Sequence, residues 1–334
     1  IVVLLSLVVV GFLAVMESSS ALQDLGRTGV KTIAHDTARL VDHIFNEEKK
    51  LANVFATDSK VVAVAGKVKM SGIEGASEEV AGLFKDLTKQ FNRMGENYQG
   101  IFVTDVNGSL YTGVLEGGKE YKGSNINGRD YFLEAQNSGK AVVSSVVRSQ
   151  ATSKLISVVC APIKSDSSEF LGMFGLVLKV DFLVELVSGR KIGETGYGFM
   201  TNKEGLLFAH PKPENILSLN LSTLDGMKEY MQLMVSGSDG VAEYTFQSVD
   251  KFAGYAPLES APWFVGATQN ADEFLEASNF IRNVIIGITL GAVAVTAVLV
   301  FFAAMSIVKP INDAVVGLKD IAEGEGDLTM RLQA

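Results

Sequence analysis

Gly100-Ile-Phe-Val-Thr-Asp-Val-Asn-Gly-Ser-Leu-Tyr-Thr112 is the stretch that decides how this chain is read. Two short β-forming runs flank an Asn-Gly pair, which suits the positive backbone angles of a tight hairpin turn. A related run recurs as Gly198-Phe-Met-Thr-Asn-Lys-Glu-Gly-Leu-Leu207. Sliding the first onto the second by 97 residues (102 to 199) pairs Phe102 with Phe199, Thr104 with Thr201, Gly108 with Gly205 and Leu110 with Leu207. A recurring unit of this size in a chain of 334 residues predicts two modules in series.

Outward from the first hairpin, the pattern predicts a short helix over 130–136 and strands over 141–147, 154–163 and 170–180. Outward from the second it predicts a helix over 224–235 and strands over 240–247, 251–257 and 263–269. Ahead of both, a helix fits 76–94, and one long helix fits 18 to about 65. The apolar stripe of the long helix is Leu22, Leu25, Val30, Ile33, Leu40, Val41, Ile44, Leu51 and Val54. Helices segregated from antiparallel strands make the fold class α+β.

Two uncharged apolar stretches bracket this region. At about 1.5 Å per residue, a helix over 283–308 exceeds the roughly 30 Å hydrocarbon core of a bilayer. The other stretch, 1–16, opens on Ile and reads as the truncated end of a second span. Lys309, Lys319 and Arg331 follow the later span, whereas Glu17, Asp24, Asp272, Glu273 and Glu276 lie on the other flanks, with Arg282 as the exception. Positive charge favours the cytoplasmic side, so 17–282 is expected outside, periplasmic in a Gram-negative cell, on a protein of the inner membrane. After Pro310, Ile311, Ala314, Leu318, Ile321 and Leu328 follow coiled-coil spacing, and Gly324 and Gly326 are expected to end that helix.

The formal net charge of −9 argues against a nucleic-acid partner. Cys160 is the single cysteine and the three histidines (His35, His43, His210) are scattered, so neither an internal disulfide nor a metal site or other cofactor is expected. No phosphate-binding glycine loop, His-Glu-x-x-His or Gly-x-Ser-x-Gly is present, and the chain does not read as an enzyme.

Lys309-Pro-Ile-Asn, followed by Ile321-Ala-Glu-Gly-Glu-Gly-Asp-Leu-Thr-Met-Arg-Leu332, resembles the start of a HAMP linker. Residues 17–282 resemble a double Cache (dCache) sensor of the kind found in methyl-accepting chemotaxis proteins. The resemblance rests on the long first helix, the two α+β modules, the motif Asn127-Gly128-Arg129-Asp130-Tyr131-Phe132-Leu133-Glu134-Ala135, and Ala209-His210-Pro211. It implies a stalk helix over 17–75, a distal module over 76–187 that holds a ligand, and a proximal module over 188–282. It further implies a homodimer that works through a chemotaxis kinase and adaptor. A histidine kinase or cyclic-dinucleotide cyclase with the same front end is the alternative output.

Arg129 leads the site that this resemblance implies, because its planar guanidinium can hold a carboxylate with two parallel hydrogen bonds. Tyr131 is expected to wall the pocket, with Phe132 either beside it or in the core. The family's amino-acid sensors place an aspartate on the last strand of this module, where Lys179 stands here; a register two residues later puts Asp181 there instead. Tyr121, eight residues before Arg129, also departs from the amino-acid pattern. Lysine repels an ammonium and attracts a second carboxylate, so an organic acid or C4-dicarboxylate is expected. Ser149, Arg148, Tyr111 and Asp105 complete the expected set, and His210 is expected to be structural.

Overall fold

The computed structural model describes residues 2–189 and 191–322, and these form two compact units, Leu25–Glu273 and the chain ends on either side of it. The expected glycine pair Gly324 and Gly326, with Leu328 and the rest of the HAMP-like motif beyond 322, lies outside the described residues.

Helix α1 (Val2–Ala56), which belongs to the larger unit from Leu25 on, stops at Thr57, and Asp58 opens α2 (Ser59–Gly75) by accepting the backbone N–H groups of Lys60 and Val61. The single helix expected from 18 to 65 is therefore two. Helix α3 (Ser77–Phe91) follows. The buried stripe of α1 is Val30, Ala34, Ala38, Val41, Phe45, Ala52 and Phe55, whereas Leu25, Ile33, Leu40 and Val54 are exposed. Counting large apolar residues thus chose the wrong face in part, because alanines line the contact. Small side chains let the helix backbone lie close: a Cβ on Gly254 would sit 2.1 Å from the Val30 carbonyl oxygen.

The first sheet comprises β1 (Tyr98–Thr104), β2 (Leu110–Leu115), β3 (Val142–Val143), β4 (Val147–Arg148), β5 (Leu155–Lys164) and β6 (Phe170–Lys179). Its antiparallel order is β2-β1-β6-β5-β3, with β4 also paired to β5. The expected strand over 141–147 is broken because Ser144 turns its hydroxyl onto the Val158 N–H at 2.8 Å. The expected strand over 170–180 ends at Lys179, and α5 (Val180–Ser188) begins at once. Helix α4 (Asp130–Ser138) covers one face of this sheet with Tyr131, Phe132 and Ala135 over Phe102, Val158, Cys160 and Val177. The opposite face meets α1, where Phe55 stacks on Phe174 at 4.7 Å.

The second sheet repeats the plan. It is built from β7 (Lys191–Ile192), β8 (Gly196–Asn202), β9 (Leu207–Ala209), β10 (Gly240–Phe246), β11 (Val249–Pro257) and β12 (Trp263–Asn270), in the order β10-β11-β12-β8-β7, with β9 on β8. Helix α6 (Lys228–Met234) packs over it, and on the other face Phe45 of α1 meets Trp263 edge-on at 5.2 Å. Strands β1, β2, β6 and β5 correspond to β8, β9, β12 and β11. Gly108 and Gly205 both take positive φ (76° and 88°), and Asp105 and Asn202 each accept an amide from the returning strand. The fold is thus α+β, with a long first helix and two antiparallel sheets.

In the other unit, α7 (Ala271–Ala322) runs on through Pro310. Helices long and apolar enough to cross a membrane lie within Val8–Ala56 and Asn279–Lys319, the latter with mean hydropathy 2.7.

Candidate functional site

The hairpin turn places Arg129. Gly108 must be glycine, since a Cβ there would meet the Asn127 nitrogen at 2.7 Å. Its carbonyl accepts the Ile126 N–H, and Asn125 Nδ2 donates to the Asn107 carbonyl and to Ser109 Oγ. The turn therefore holds the segment that ends in Arg129, which stands in extended backbone (φ −89°, ψ 133°) as the residue before α4. At the far end Gly139 stops the helix in the left-handed region.

Arg129 is half-buried, and its charge bears on two buried phenols, Tyr121 and Tyr131. Burial raises the pKa of both, and the guanidinium opposes that rise in each. The Ser149 hydroxyl also opposes it for Tyr121. Arg129, Tyr121, Tyr131 and Ser149 thus share one corner of the sheet face under α4. Phe132 lies in the same apolar cluster and meets Phe170 edge-on, so it belongs to the core. Ser149 is buried, and its Oγ accepts the amides of Ala151 and Thr152 at 3.3 Å each, closing the turn after β4.

Lys179 is the last residue of β6, on the face that carries Val177. Its ammonium donates to Glu116 Oε1 at 2.8 Å, and Lys154 lies 3.9 Å from the other carboxylate oxygen. The Lys179 hydrogen bond holds the Glu116 carboxyl below its usual range. Asp181 does not share the strand face of Lys179: it is exposed in the first turn of α5, because the backbone turns helical at Val180. A cavity of about 240 Å³ opens beside the ion pair, bounded by Leu115, Glu116 and the Ala151–Thr152 turn.

The other expected residues are Arg148, Asp105 and Tyr111. Arg148 is exposed and donates to the Ser153 carbonyl at 2.8 Å. Asp105 uses Oδ1 on the turn amides of Asn107 and Ser109. The Tyr111 phenol is buried without a hydrogen-bond partner among the described residues; burial, then the Asp105 charge, raises its pKa. The structure adds Tyr121 and Glu116 to the candidate set. The chain around Tyr121 pairs back on β2 through its N–H to the Gly113 carbonyl. Among the described residues no cluster of His, Cys, Asp or Glu is arranged to hold a metal ion.

Residues 18–278 match dCache_1, a Cache domain family. The chain belongs to the Cache domain family. It is 28% identical over 208 residues to the methyl-accepting chemotaxis protein McpA of Pseudomonas putida, covering 61% of this chain and 31% of that protein. This Cache chain therefore spans about a third of that relative's length. Among solved structures it resembles the sensory domain of the Campylobacter jejuni chemoreceptor Tlp3 (TM-score 0.60, 12% identity, 77% of this chain and 98% of that one). It also resembles the ligand-binding domain of Mlp24 with asparagine (TM-score 0.56, 16% identity, 78% and 99%). At such identities these likenesses speak to the fold, which is that of chemoreceptor Cache domains.

Proposed function

We propose that this Cache chain is the sensing front end of a homodimeric chemotaxis receptor and that its distal module, 76–187, binds a small carboxylate, an organic acid or C4-dicarboxylate. The observation that carries the reading is Arg129 at the start of α4, with its charge bearing on the buried phenols Tyr121 and Tyr131 and with Ser149 beside Tyr121. A guanidinium beside two phenols and a hydroxyl gives a carboxylate several donors in a partly dry setting, where charge-assisted bonds are strongest. The apolar helices support spans at 1–16 and 283–308, with 17–282 outside and the HAMP-like 309–334 inside, leading to a kinase and adaptor. Ligand moves such a receptor only by its difference in affinity between two states. Closure of α4 over the sheet is the change that Arg129 would bias.

Titration calorimetry on the full chain in detergent tests the site. Arg129→Ala is expected to weaken organic-acid binding at least tenfold, about 1.4 kcal/mol. Unchanged affinity would place the ligand elsewhere. One observation favours a second reading, an amino acid: the Lys179–Glu116 pair offers both signs of charge at the cavity beside the corner. Succinate binding more tightly than neutral amino acids supports the first reading, and the reverse order supports the second.

A further inference from the structure

The proximal module contains the larger cavity, about 640 Å³. Its lining combines apolar and aromatic side chains, among them Phe199, Leu207, Leu221 and Phe246, with polar ones that include Lys251, Asn270 and Tyr197. The repeat explains why a cavity stands here. Phe199 pairs with Gly266 as Phe102 pairs with Gly175, so Asn270 at the end of β12 occupies the place that Lys179 holds at the end of β6. Its neighbour across the strand pair is Lys251, where the distal sheet has Ile156. The second module therefore also brings an ammonium to the open end of the face that its helix covers.

The setting of that ammonium differs. Lys179 is neutralised by Glu116. Lys251 is 9% exposed and has no carboxylate partner among the described residues; it donates to the neutral Asn270 side chain and lies 5.9 Å from the centre of the Tyr197 ring. Burial shifts its pKa downwards. Taking a cation out of water without a counter-ion is unfavourable, and a bound anion would relieve it. The exposed Lys212, Glu214 and Asp225 also line the cavity, as does His210, whose Nδ1 accepts the Lys212 N–H at 2.9 Å.

We propose that this cavity is a second ligand site, selective for a monocarboxylate with an aromatic or branched apolar body: the carboxylate on Lys251, the body against Phe199 and Phe246. The volume falls within the range of ordinary small-molecule pockets, and Lys251, the buried cation of its lining, matches one negative charge on a ligand whose apolar body meets the aromatic wall. Phenylacetate and its uncharged analogue phenylacetamide are the probes, titrated calorimetrically into the full chain in detergent. Phenylacetate is expected to bind at least tenfold more tightly than the amide. Lys251→Met should abolish that preference, and Leu224→Trp, which fills the chamber from its rim and leaves Lys251 in place, should weaken phenylacetate at least tenfold. Arg129→Ala, which disables the distal corner, should leave phenylacetate affinity within twofold. Absence of phenylacetate binding to the folded wild-type chain, equal affinity for acid and amide, or loss in Arg129→Ala would each overturn the second site. The last of these would place the aromatic acid in the distal module instead.

Discussion

Phe102 lies across Gly175 on the neighbouring strand, and Phe199 lies across Gly266 in the same way. A Cβ on Gly175 would stand 2.2 Å from the ring of Phe102, and one on Gly266 2.1 Å from that of Phe199. Both rings are buried. Gly266→Ala is expected to lower stability by about 1–3 kcal/mol, as overpacked cores do, read from the urea midpoint. Adding Phe199→Leu should recover part of the loss, and no recovery would mean that the ring is not the obstacle. At this scale the sequence disclosed Phe102 and Phe199 as a matched pair. It did not disclose the glycines beneath them, which are partners across a sheet rather than along the chain. Arg129 was legible because its motif is local. Glu116, the partner of Lys179, was not, because sixty-three positions separate the two.

Among the elements, the start of α7 is held by Glu273, whose carboxylate accepts from the Glu194 N–H at 2.7 Å and from the Thr195 hydroxyl and amide at 2.7 and 3.1 Å. Burial alone would raise its pKa, but these bonds and one from Gln269 outweigh it and hold the pKa at about 2, below the ordinary 4.5. A carboxyl depressed on folding contributes stability that is present above its unfolded pKa and is lost as pH falls through the folded one. Thermal melts should therefore drop between about pH 5 and pH 2, and Glu273→Gln should flatten part of that drop. An identical acid profile in the variant would remove Glu273 from the account. Hairpins and helices were readable from their periodicity. The face of α1 was partly misread because alanines make its contact, and α5 was missed because Val180-Asp-Phe-Leu-Val continues a β-like run.

For the whole molecule, the homodimer reading gains a surface. Ile33, Leu40 and Val54 are exposed on α1 at seven-residue multiples, the spacing of a coiled-coil seam. Since Cys160 is buried, Leu40→Cys supplies the single accessible thiol. Mild oxidation should cross-link that variant, whereas Lys85→Cys, exposed on α3, should stay monomeric on a denaturing gel. Equal cross-linking of the two would count against the α1 seam.

Strand β12 ends at Asn270 and α7 begins at Ala271, so a sheet residue that borders a ligand-sized chamber is bonded directly to a helix of 52 residues. No loop residue separates the strand from the helix. A single added residue there would turn every later side chain by about 100° and advance it about 1.5 Å. Length at this point is consequently set in whole residues and angular phase together.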